Sequence, residues 1–145
     1  MKLLKEFNQY LANLAVMNVK LHNIHWNVVG MQFVAVHEFT EKLYEELFEY
    51  FDAVAEHAKM YGATPDARMV DYLKNASIQE IEPNNFKEAE ALSIVKADLE
   101  ALRKQATDLR NACDGEGWFS AVAVFEEQVE FYNKQIWFLS AMLSK

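Results

Sequence analysis

The chain has 145 residues, of which 52 % are hydrophobic, with a formal net charge of −8 and one cysteine. That length suits one domain with a sizeable, aromatic-rich core. The charge disfavours broad attraction to nucleic acid or anionic membrane, and a lone Cys113 excludes an intrachain disulfide and fits a reducing, cytoplasmic setting.

The opening Met1-Lys2-Leu3-Leu4-Lys5 begins like a signal peptide, but Glu6, Asn8, Gln9 and Asn13 break the apolar run, so no h-region is expected. No stretch reaches the roughly 18 consecutive apolar residues of a membrane span. The first long segment carries Leu4, Phe7, Leu11, Leu14, Leu21, His25 and Val28 on one stripe, interrupted at Asn18. Gly30 ends it. The second places Val36, Leu43, Leu47, Val54 and Ala58 on one stripe. Phe39, Tyr44, Phe48 and Phe51 lie beside that stripe, a second apolar face that reads as a subunit interface or as a wide core stripe.

After Gly62 and Pro65 comes the longest connection. It holds a short helix predicted over Asp66 to Lys74, then a capping-box pattern from Ser77 to Glu80, with little room for helix before Pro83. The third long segment repeats Leu92, Val95, Leu99, Leu102, Ala106, Leu109 and Cys113. The turn Asp114-Gly115-Glu116-Gly117 precedes the fourth, with Trp118, Val122, Phe125, Val129, Tyr132, Ile136, Leu139 and Leu143. Spacings of three and four over many turns predict amphipathic helices. The expected fold is all-α: a four-helix bundle over residues 1–145, with a short extra helix between the second and third long helices.

The histidines are His22, His25, His37 and His57. His37 and Glu41 share a helix face at i,i+4, as do Asp52 and Glu56 further along the same helix. His25 stands just before the Gly30 turn that returns the chain toward His37. Imidazole with carboxylate and no thiolate suits iron, manganese or zinc. Glu41 and Asp52 are eleven residues apart, so their backbones are roughly 16 Å apart at 1.5 Å per residue. Metal–ligand bonds of about 2 Å cannot span that gap within one chain. Either the two pairs are unrelated, or two copies of the helix pair antiparallel about a centre near Glu46 and bring them together twice per dimer. A Glu-x-x-His motif, the mark of an intrachain di-iron bundle, is absent.

The run His25-Trp26-Asn27-Val28-Val29-Gly30, followed by Phe33, His37, Tyr44, Asp52 and Ala55-Glu56, resembles the Dps family of mini-ferritins, and the likeness extends to the closing Ile136-Trp137. The resemblance implies ferroxidase ligands His25, His37 and Glu41 from one subunit, with Asp52 and Glu56 from its neighbour. It implies iron and no organic cofactor, a hollow dodecamer with a mineral core, and iron(II) oxidation by hydrogen peroxide or oxygen. Trp26 and Tyr44 become candidate electron donors, with interface packing the plainer reading of Tyr44. His22 becomes an accessory ligand or a surface residue. Met17, Met31 and Met60 are explained as packing residues.

Three departures stand out. The family often has Asp where this chain has Glu41, and the extra methylene shifts the second metal position. His57 stands where the family commonly has Arg, replacing a fixed positive charge with a titratable one. The turn and start of the last helix are usually rich in Asp lining pores at a three-fold axis; here only Asp114 and Glu116 precede Trp118 and Phe119. Some relatives bind DNA through basic tails. With only Lys2 and Lys5 at one end and Lys145 at the other, direct DNA binding is not expected. A purely structural bundle is the third reading, and a chain of that kind should have lost ligands.

Overall fold

The computed structural model describes residues 1–145. Helix α1 spans Leu4–Asn27, α2 Phe33–Met60, α3 Met69–Asn75, α4 Glu88–Gly115 and α5 Phe119–Leu143. Between them lie two short strands, β1 (Val28–Val29) and β2 (Phe86–Lys87). The architecture is the ferritin-like four-helix bundle with a short helix in its long connection. Helix α1 packs chiefly on α2 and α4 on α5, so the bundle is two helical hairpins docked together.

The expected stripes are the buried ones. Phe7, Leu11, Leu14 and Leu21 of α1, Val36, Leu43, Leu47, Val54 and Ala58 of α2, the whole third stripe through Cys113, and Val122, Phe125, Tyr132, Ile136 and Leu139 of α5 form one core. None of the helix starts carries a side-chain cap of its own. The helices therefore persist through tertiary burial rather than through local capping.

Three polar devices tie the hairpins. Buried Asn13 of α1 donates to Ser77 Oγ and Gln105 Oε1, and its own Oδ1 accepts the Ser77 and Ile78 backbone N–H groups. That side chain satisfies the irregular backbone of the connection where no helix does. Lys20 Nζ meets Asp98 Oδ2 at 2.6 Å, both largely buried, joining α1 to α4. Burial pushes the Asp98 carboxyl up, with Lys20 opposing the rise. Deep in the bundle, Tyr10 donates to Gln128 Oε1 and shares a 2.5 Å contact with the Tyr132 hydroxyl.

The sequence did not foretell the pairing of β1 with β2. They run parallel, Val28 opposite Phe86 and Val29 opposite Lys87, and bring the Gly30 turn against the start of α4. There Glu88 Oε2 accepts the Gln32 backbone N–H at 2.9 Å, so a carboxylate from the second hairpin serves the N-terminus of α2. Gly30 has φ +130°, and a Cβ there would collide with the Glu88 carboxylate. Only glycine lets that carboxylate lie over the turn without strain.

Other expectations need correction. The short helix begins at Met69, not Asp66, because Asp66 is held outside it: its N–H donates to Asn8 and its carbonyl accepts from Tyr72. The Ser77 pattern starts no helix, since Ser77 is bound to Asn13 instead. Met17 is a core residue, but Met31 and Met60 are 96 % and 66 % exposed, so packing within the chain does not account for them. On α2, Phe39, Tyr44 and Phe51 rest partly against the core, whereas Phe48 stands out in solvent. No helix is long and apolar enough to cross a membrane.

Candidate metal centre

His25 and His37 meet across the Gly30 turn. Their rings stack at 3.6 Å between centroids, 14° from parallel. His25 Nδ1 lies 2.6 Å from the His37 carbonyl oxygen, and His37 Nδ1 lies 2.7 Å from the His25 carbonyl oxygen. A carbonyl only accepts, so each Nδ1 is the protonated nitrogen of its ring. In its neutral form each imidazole then presents an Nε2 lone pair, and neither Nε2 makes a hydrogen bond within the chain. This is the arrangement a metal-binding histidine requires, with the second nitrogen spent on orientation. Burial lowers the His25 pKa, which further favours the neutral, ligating form.

Aromatic rings enclose the pair. Phe33 stacks on the other face of His37 at 5.1 Å, and Tyr44 meets His25 edge-on at 5.3 Å. Tyr44 also stacks on His22 at 3.8 Å and donates a long 3.4 Å hydrogen bond to Glu41 Oε1. Glu41 is thereby placed beside the imidazoles rather than bonded to them, and its charge acts on His25. His22 donates through Nδ1 to the Asn18 carbonyl and lies 5.4 Å from the ring of Trp26, which is 67 % exposed.

Asp52 and Glu56 lie exposed toward the far end of α2. Neither makes a hydrogen bond or ion pair within the chain. Nowhere in the chain do three His, Cys, Asp or Glu side chains converge on one metal-sized point. His57 is buried, its Nδ1 donating to the Ala53 carbonyl. At that end of the bundle Tyr61 stacks on Trp118 at 4.3 Å, while Phe119 is 81 % exposed.

Sequence reasoning passed over Thr40. Its hydroxyl sits within 3.2 Å of His25 Nδ1 and donates toward the Val36 and His37 carbonyls. The signal was present: Thr40 is a polar residue on the buried stripe of α2, four positions from Val36 and beside His37.

The ferritin-like domain family matches residues 4–145. Antigen TpF1 of Treponema pallidum is 32 % identical over 139 residues, 96 % of this chain and 78 % of that protein. The DNA protection during starvation protein of Brevibacillus brevis is 35 % identical over 138 residues, covering 94 % of this chain and 91 % of the relative. The crystal structure of a Dps protein from Bacillus brevis superposes with a TM-score of 0.93 at 32 % identity, over 99 % of this chain and 96 % of that one. This chain belongs to the Dps family of ferritin-like proteins. A further Dps, from Listeria innocua and soaked with zinc, is similar at a TM-score of 0.91 and 32 % identity, covering 97 % and 96 % of the two chains.

Proposed function

We propose that this Dps protein oxidises iron(II) at a centre shared between two subunits and stores the ferric product inside a hollow homo-oligomer, a dodecamer by family resemblance. The reading is carried by the two stacked imidazoles, whose Nδ1 hydrogens are spent on carbonyls and whose Nε2 lone pairs are free. Two nitrogens do not complete a coordination sphere. The remaining donors are Glu41 beside them and, from the neighbouring subunit, Asp52 and Glu56, which stand exposed on α2 with no partner in their own chain. An antiparallel pairing of α2 with its copy supplies both halves at once. The exposed Phe48, near the middle of α2, supports such a contact.

Iron is the substrate here. Two iron(II) ions each give one electron to one molecule of hydrogen peroxide, its O–O bond breaks to the level of water, and the protons released on hydrolysis of iron(III) go to solvent. Pairing the electrons avoids the one-electron cleavage that yields hydroxyl radical. Oxygen is the alternative oxidant. His25 and His37 bind and orient the ion, the carboxylates neutralise its charge, and Trp26, at the rim of this cluster, is in reach to donate an electron when only one iron is present.

The decisive experiment mixes defects. One variant carries His25→Ala, His37→Ala and Glu41→Ala; the other carries Asp52→Ala and Glu56→Ala. Each homodimer is inactive. Refolded together in equal amounts, they should recover about a quarter of wild-type oxidation, because half the dimers are mixed and each keeps one intact site of two. Inactivity despite mixed dimers in native mass spectrometry would falsify the shared centre.

The rival reading is DNA compaction, given that relatives carry the name DNA protection during starvation protein. The charge of −8 supports the opposite for this chain. A gel shift in ~0.15 M salt should show no micromolar binding to duplex DNA, since at that ionic strength only a local basic patch overcomes the net repulsion.

A further inference from the structure

The most deeply buried polar side chain of α2 is neither a histidine nor a carboxylate. Thr40 has no solvent exposure. Its Oγ1 lies 2.8 Å from the Val36 carbonyl oxygen and 3.0 Å from that of His37. Carbonyls only accept, so the single hydroxyl hydrogen is directed at them. The hydroxyl lone pairs remain, and 3.2 Å away is His25 Nδ1. That nitrogen also faces the His37 carbonyl at 2.6 Å. Both oxygens around His25 Nδ1 are therefore acceptors for one N–H.

We propose that Thr40 is a positioning residue for the metal centre, fixing the His25 ring so that Nε2 is presented to the ion. The proposal rests on the reading of His25 as a ligand. One acceptor decides which nitrogen is protonated but leaves the ring free to pivot about a single N–H···O axis. A second acceptor off that axis fixes the ring plane as well. His37 has no such second acceptor; instead Phe33 and His25 hold its two faces. His25, with a stacking partner on one side and only edge contacts from Tyr44 and His22, depends more on its hydrogen bonds.

Packing alone gives no reason for a threonine here. A hydroxyl bonded back to the carbonyl four residues earlier slightly weakens a helix. Valine has nearly the same shape and suits an apolar stripe better. The hydroxyl is explained by what it does for His25.

The test uses the assembled apo-protein and zinc(II), a redox-silent probe, by isothermal titration calorimetry. Thr40→Val should bind zinc about tenfold more weakly, the usual scale for losing a partner that orients a ligand. In iron(II) oxidation its half-saturating iron concentration should rise by a similar factor, with a smaller change in limiting rate. Its Tm should equal or exceed that of the wild type. Thr40→Ser, which restores the hydroxyl, should return zinc affinity to within about twofold. Unchanged zinc affinity in Thr40→Val overturns the proposal, as does a loss that Thr40→Ser shares. A parallel His25→Ala variant separates the two levels. If it binds zinc as the wild type does, the ligand reading falls and Thr40 with it. If it loses zinc while Thr40→Val does not, only the positioning role is wrong.

Discussion

The two ends of α2 carry the same kind of cargo in opposite states. At the N-terminal end, His37 is clasped to His25 through reciprocal Nδ1–carbonyl bonds, backed by Thr40, Phe33 and Tyr44. Further along, Asp52 and Glu56 project into solvent with nothing holding them. The difference follows from the donors. An imidazole ligates through one nitrogen and only in one tautomer, so it must be oriented in advance through the other. A carboxylate offers two equivalent oxygens, is ionised at neutral pH, and swivels at little cost. A centre divided between subunits can therefore build its nitrogen half rigidly within one chain and leave its oxygen half to settle on assembly.

The strongest way to break this comparison is to remove each half in turn. His37→Ala and Asp52→Ala should each slow peroxide-dependent iron oxidation by roughly a hundredfold in stopped-flow absorbance, despite lying far apart in one chain. Their effects on the subunit should differ. His37→Ala opens the clasp and should lower Tm, whereas Asp52→Ala breaks no hydrogen bond or ion pair within the chain and should leave Tm within experimental scatter. A normal oxidation rate in Asp52→Ala would confine the centre to the N-terminal end of α2.

A smaller effect is expected from the turn beneath the clasp. Gly30→Ala forces a Cβ onto a backbone at φ +130° and against the Glu88 carboxylate, which caps Gln32. It should cost about 1–3 kcal/mol in thermal or denaturant unfolding. It should also weaken zinc binding, because the turn sets the distance between His25 and His37. A variant as stable as the wild type would show that Glu88 moves aside freely.

The smallest effect concerns pH. Burial lowers the His25 pKa below its ordinary 6.5. In the window between the folded value and 6.5 the unfolded chain binds the proton and the folded chain resists it. Stability from this group is therefore complete above 6.5 and is lost as the pH falls through the folded value. The Tm of the apo-protein should decline on acidification through that window, and His25→Gln should remove this part of the slope. An unchanged slope in that variant would assign the effect to other groups.

The four long helices were legible because burial enforces a 3.6-residue period, and every position of the third stripe is in the core. The histidine–carboxylate pairs were legible too, since i,i+4 spacing and helix rise are local geometry. What the sequence concealed was each contact made by a side chain reaching across the fold. Asn13 read as an interruption of an apolar run, yet it satisfies Ser77 and Ile78, more than 60 residues away. Glu88 lies in the first turn of α4, yet its carboxylate serves a different helix. Thr40 was overlooked because periodicity weighs hydrophobicity and ignores a hydroxyl within hydrogen-bond reach of a neighbouring imidazole. Glu41 was placed with His37 by spacing, while its observed hydrogen bond is to Tyr44.

The placement of the imidazole clasp within a single hairpin bears on the order of events during synthesis. His25 and His37 are twelve residues apart, joined by a short turn, and the bonds between them involve α1 and α2 alone. Closing so small a loop takes well under a microsecond to a few microseconds, far less than the time to add one residue at the ribosome. The β1–β2 pairing, the Glu88 cap and the packing of α1 and α2 against α4 and α5 must wait for later residues. A nascent chain that has emerged as far as residue 60 thus contains both imidazoles and both helices that bond them, while Asp52 and Glu56 of the proposed centre would come from a second molecule. With the proposed shared centre, metal capture would be gated by assembly rather than by folding alone.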